Sequence, residues 1–142
     1  MLAFPDQAFK LQQMNTPYPE NKHASLRTLA MPADANPSGD IFGGWIMSQM
    51  DIAGASYARN ITKMRVVTVA VEAMTFHLPV FIGDEVSCYC ETQRIGKTSI
   101  SVHIETWVRR DRLTDEVIKV TEAVYTFVAL DKDRKPTAIN IG

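Results

Sequence analysis

Residues 40–59 read DIFGGWIMSQMDIAGASYAR, and this stretch decides the architecture. Asp40 is a helix-capping residue type, the run behind it favours a helix, and Asn60 offers a stop, so a helix is expected from about Ile41 to Arg59. Only one charged residue, Asp51, lies between Asp40 and Arg59. At about 100° per residue, Ile46, Met50, Ala53 and Tyr57 share a face that should pack on a sheet. Gly44, Ser48, Asp51 and Ala55 share a narrower face of small side chains, which leaves room for another molecule to approach.

Outward from the helix the pattern changes. Residues 1–25 hold Pro5, Pro17, Pro19 and many amides without a sustained period, and read as a mobile N-terminal tail. Leu26 to Met31 reads as a short strand, and Pro32 to Gly39 is dense in turn residues. Beyond the helix β-branched residues take over. Strands are expected over Val66 to Val71 with a continuation at Met74 to His77, then Glu85 to Arg94, Thr98 to Arg109 and Glu116 to Leu130. Arg94 to Lys97 and Arg109 to Asp115 read as hairpin turns, the second an exposed loop in which Arg109, Arg110 and Arg112 are balanced by Asp111, Asp115 and Glu116. The expected class is α+β, with one domain over residues 26–142. One helix cannot cover a whole sheet face, and apolar residues fill both phases of residues 117–130, so a homo-oligomer is expected.

Composition narrows the function. The 142 residues are 46% hydrophobic and 22% charged, as expected of one globular domain able to bury its own core. A formal charge of −1 lacks the basic face that nucleic acid or a polybasic membrane anchor needs. Met1 to Lys10 has no basic start followed by an apolar core, and residues 41–58 are too polar to span a bilayer. Cys88 and Cys90 would share one face of a strand, a poor disulfide geometry and too few ligands for structural zinc. They read as small buried hydrophobes in a reducing, cytoplasmic compartment. His23, His77 and His103 are scattered without metal-ligand spacing, so no metal site is expected.

Three features could carry chemistry. Asp51 is either a reactive carboxylate or a structural hydrogen-bond acceptor. Gly43-Gly44 either presents unobstructed N–H groups at the positive end of the helix or allows close packing on a strand. Asn36, in the loop before the helix, either positions a water or carbonyl or serves as a turn residue. Gly44 and Asp51 are seven residues apart, about 10 Å along the axis at 1.5 Å per residue. Both cannot lie within about 3 Å of one reacting carbonyl. If both act, Asp51 must come from a second subunit. A fourth feature, the turn Arg94-Ile95-Gly96-Lys97-Thr98-Ser99, sets two cations and two hydroxyls together and suits either a phosphate or plain solvation.

The segment from Met31 to Trp45, followed by Met47 to Asp51, resembles the signature of hotdog-fold acyl-CoA thioesterases, nearest the YciA-like bacterial acyl-CoA hydrolases. Arg65 to Val69, Met74 to Phe76, Gly83-Asp84, Gly96 to Ser99 and Thr121 to Ala123 extend the resemblance over most of residues 26–136. It implies a long central helix wrapped by an antiparallel sheet of five to six strands, a homodimer as the smallest unit, and a hexamer built as a trimer of dimers. It further implies hydrolysis of acyl-CoA to free acid and CoA, with CoA as part of substrate and product and no separate cofactor. Asp51 matches the family's helix acid, Asn36 its loop amide and Gly44 the glycine whose N–H polarises the thioester carbonyl. Substrate contacts are implied for Gly43, Arg94, Lys97, Thr98 and Ser99. Leu78 departs from the basic residue often found before the proline that matches Pro79. A non-catalytic acyl-CoA-binding protein or a hotdog dehydratase would share the fold; the dehydratase would need a histidine in the loop or helix, and residues 26–60 contain none.

Overall fold

A computed structural model describes residues 18–110 and 116–141. Its order is β1 (Leu26–Leu29), a short 3₁₀ turn (Pro32–Asp34), α1 (Gly43–Thr62), β2 (Arg65–Phe76), β3 (Glu85–Ile95), β4 (Ser99–Arg109) and β5 (Val117–Leu130). The five strands form one sheet in the order β1-β3-β4-β5-β2, antiparallel throughout. The β3–β4 hairpin closes at Gly96, whose N–H donates to Ser99 O at 2.8 Å.

α1 lies on one sheet face and buries Ile46, Met50, Ala53 and Ala58 there. Val86 and Cys88 of β3, Ile100, Val102 and Ile104 of β4, and Ala123, Tyr125 and Phe127 of β5 complete the core. Gly54 sets how closely helix and sheet approach. A Cβ at that position would stand 2.8 Å from both Ile104 Cδ1 and Phe127 Cζ. Gly54→Val is therefore expected to destabilise the fold by about 1–3 kcal/mol through overpacking, read as a lowered denaturation midpoint.

Several local expectations change. The helix begins at Gly43 and not at Ile41, because Phe42 is its N-cap and Asp40 forms a β-bridge with Phe81. It runs past Asn60 to Thr62, whose hydroxyl donates to Ala58 O at 2.9 Å and accepts from Met64 N at 3.2 Å, and Lys63 ends it in the left-handed region at φ 59°. Met74 to Phe76 is part of β2, which stays one strand by absorbing irregularities between Thr68 and Ala70 and between Glu72 and Thr75. Of the tail, residues 1–17 lie outside the described residues, as do 111–115 of the β4–β5 connection. Within 18–25 the chain already touches the sheet: the Tyr18 ring packs edge-on against Tyr89 and Trp107.

The described ion-pair partners of Arg109 and Arg110 lie outside the loop that follows them. Arg109 reaches Glu85 at 3.7 Å, and Arg110 reaches the buried Asp84 at 3.1 Å. Burial raises the Cys88 thiol to about 12 and the Cys90 thiol to about 11, so neither is ionised near neutral pH. No helix among the described residues is long and apolar enough to cross a membrane.

Candidate active site

Two depressions flank the first half of α1. The first, about 270 Å³, runs along the small-residue helix face and is lined by Gly44, Ser48 and Asp51, with Thr68 and Val71 of β2 and Tyr125 of β5. Asp51 is half-buried there, and Thr68 Oγ1 donates to Asp51 Oδ1 at 2.6 Å. That bond fixes the carboxylate through one of its two oxygens. The buried Tyr125 lines the depression as well, its hydroxyl donating to Met47 O at 2.9 Å. Burial above all, then the nearby Asp51 charge, pushes the Tyr125 phenol well above its ordinary range, so it stays a neutral donor.

The second depression, about 380 Å³, lies on the other side of the helix start, where Asn36 and Gly43 meet Ile46, Phe76, Leu78 and Val80. Asn36 is organised by its own loop: its Oδ1 accepts from Ser38 N at 2.9 Å and from Asp40 N at 3.1 Å. Its backbone N–H donates to Asp40 O at 2.7 Å, and Gly39, at φ 91°, makes the turn that this closure requires. With the amide oxygen engaged by the loop, what Asn36 offers outward is its NH₂ group, a donor. The turn role and the ligand-facing role are thus compatible.

The helix start is open. Phe42 supplies no side-chain cap, and a Cβ at Gly44 would meet nothing within 4 Å. Close packing is therefore not why Gly44 is glycine. Gly43 differs, since a Cβ there would stand 3.4 Å from Phe76 Cζ. The first intrahelical bonds run from Trp45 N and Ile46 N to Phe42 O, at 3.1 and 3.3 Å. The Gly43 and Gly44 N–H groups precede them, at the positive end of the helix dipole.

Gly44 and Asp51 thus line one depression, and Asn36 belongs to the other. One protomer does not bring Asn36 and Asp51 together. Arg94, Lys97, Thr98 and Ser99 lie at the β3–β4 turn and line neither depression. Among the described residues Arg94 and Lys97 enter no ion pair, and both are exposed. No histidine lines either depression, and no described group of three His, Cys, Asp or Glu could hold a metal ion. Thr68 and Tyr125 were not singled out by sequence; Thr68 had a signal, a lone hydroxyl in the valine run Val66 to Val69.

The family model of the thioesterase superfamily matches residues 38–114, a span that takes in α1, β2, β3, β4 and the β3–β4 turn. The chain belongs to the thioesterase superfamily. Among its relatives, the acyl-CoA thioester hydrolase YciA of Salmonella typhimurium is 53% identical over 131 residues, which covers 89% of this chain and 95% of that protein. The hexameric thioesterase y2039 of Yersinia pestis superposes with a TM-score of 0.80 at 51% identity, covering 86% of this chain and 98% of that one. HI0827, a hexameric broad-specificity acyl-coenzyme A thioesterase solved as an aspartate-to-alanine mutant enzyme, gives 0.80 at 48% identity, over 84% of this chain and 87% of that one. The α1-on-sheet arrangement is accordingly the hotdog fold of this superfamily.

Proposed function

We propose that this chain hydrolyses acyl-CoA thioesters to a free carboxylic acid and CoA, in a site completed by two protomers. The observation that carries the reading is the division of the machinery: a lone carboxylate held by Thr68 in one depression, an amide donor by the helix start in another. β2 supplies the means to join them. It is an edge strand of 12 residues with Val67, Val69 and Val71 exposed, and a long apolar edge seeks another strand. Pairing two β2 edges about a two-fold axis sets the helices antiparallel and brings Asp51 of one protomer toward Asn36 and Gly44 of its partner.

In that site the Gly44 N–H and the Asn36 NH₂ donate to the thioester carbonyl oxygen. Asp51 takes a proton from a water as that water attacks the carbonyl carbon, and the two donors hold the resulting oxyanion. Collapse of the tetrahedral intermediate breaks the C–S bond, the thiolate leaves and is protonated, and the acid is released. These groups supply proton transfer and charge stabilisation, so the reaction as written uses no separate cofactor or metal. The exposed Arg94 and Lys97, with Thr98 and Ser99, are assigned to the nucleotide phosphates of CoA. A hexamer is the proposed assembly, the relatives being hexameric, and we build it as a trimer of dimers. Residues 26–142 are the proposed catalytic domain, and the cytoplasm, where buried thiols stay reduced, the proposed location.

Free-thiol release from a panel of acyl-CoA thioesters tests the activity. Turnover is expected, and a folded protein that binds acyl-CoA without releasing thiol would contradict it. Thr68→Val keeps the side-chain shape but removes the hydrogen bond to Asp51. A bond to a charged group of this kind is worth about 1.5–3 kcal/mol, so kcat is expected to fall roughly ten- to a hundredfold with KM little changed.

A further inference from the structure

We propose that the cavity beside the helix start is the acyl-chain site, and that Phe76 is the floor that limits chain length. This rests on the thioesterase reading. With the carbonyl oxygen held at Gly44 and Asn36, two groups diverge from the carbonyl carbon: the acyl chain and the sulfur-linked pantetheine arm. The cavity is lined by the buried Ile41, Ile46 and Val80, by the half-buried Phe76 and Leu78, and by Asn36, Ser38 and Asp40 of the more exposed loop. Its polar side chains, Asn36, Ser38 and Asp40, all come from the loop at the mouth. A pantetheine arm carries two amides, which would lie without partners against the apolar depth. An alkyl chain has no such need and gains from leaving water.

The depth is closed by residues that cannot move aside. Val80, Ile46 and Ile41 are nearly inaccessible and belong to the core. Phe76 is different: it ends β2, is only half-buried, and its ring lies over Gly43 at the distance where a Cβ would make contact, 3.4 Å. A methyl group there would already touch the ring, so a side chain larger than alanine would crowd it. At about 380 Å³ the space stands near the lower end of small-molecule pockets, roughly 300–1,000 Å³. It suits a short to medium acyl group.

The test is the chain-length profile, kcat/KM from acetyl-CoA to palmitoyl-CoA by free-thiol release, for the full chain and two variants. Phe76→Ala is expected to raise the ratio of palmitoyl-CoA to butyryl-CoA by about tenfold or more, the scale on which a hydrophobic pocket reads added methylenes. Leu78→Trp fills the cavity from another of its lining positions and is expected to move the profile toward acetyl-CoA, so the proposal remains testable if Phe76→Ala does not fold. Profiles unchanged from the parent in folded variants would overturn the assignment and leave the thioesterase reading standing. A parent chain that hydrolyses no acyl-CoA would overturn both.

Discussion

Replacing Asp51 with asparagine is expected to lower kcat/KM for an acyl-CoA by about 10²–10⁴-fold, the usual contribution of a general base. The substitution is nearly isosteric, and the asparagine oxygen can still accept the Thr68 hydroxyl bond made at 2.6 Å to Asp51 Oδ1. The depression keeps its shape and the helix keeps its core face, because Asp51 is not among the residues α1 buries. What is lost is the proton acceptor. The loss should therefore fall on kcat, with KM, the oligomer and the thermal midpoint close to the parent values. Steady-state kinetics and light scattering on the same preparation check this; full activity in Asp51→Asn would remove Asp51 from the mechanism.

The second large effect is structural. Asp84 is 2% exposed, and Arg110 is its counter-charge, with Nη2 at 3.1 Å from Oδ2 and Nε at 3.2 Å from Oδ1. The same guanidinium donates to Pro79 O at 2.9 Å and lies 4.4 Å from the Phe81 ring centroid, while Phe81 N donates to Asp84 Oδ2 at 2.8 Å. One arginine thus ties the end of β4 to the 79–84 loop. That loop accepts the Ile41 N–H at Val80 O, at 2.9 Å, just before the helix start. Arg110→Met leaves the Asp84 charge buried and unmatched and is expected to cost about 3–5 kcal/mol. Denaturant unfolding should show most of that loss recovered in the Arg110→Met, Asp84→Asn double variant, because the stranded charge is then gone. An undiminished midpoint in the single variant would contradict this account of the loop.

Much of this was legible in the sequence because local patterns agreed with the final packing. The apolar face of α1 and the alternation in β4 each identify their buried side without reference to a partner. The boundaries of α1 were not legible, since Asp40 is drawn into a bridge with Phe81 some forty residues away. Nor were the contacts of Arg109 with Glu85 and of Arg110 with Asp84, which sheet register brings together from far along the chain. The apolar residues in both phases of β5 invited a partner; one face of this inner strand packs on the core, and the other stays half-exposed. The stronger sign of a partner, the exposed valines of β2, depended on knowing which strand is the edge. Within the site, Asp51, Asn36 and Gly44 stood out as residue types at telling places. Thr68 and Tyr125 act through contacts made across the fold, which no spacing along the chain reports.

Co-expression of Asn36→Ala and Asp51→Asn chains with different affinity tags tests most directly whether two protomers share each site. Each variant alone is expected to be nearly inactive. In a mixed dimer one site carries both lesions and the other is whole, so random pairing should restore about a quarter of the parent activity, and doubly tagged species should carry it. If the doubly tagged mixed dimer is as inactive as its parents, Asn36 and Asp51 do not meet across the interface, and the composite site is wrong.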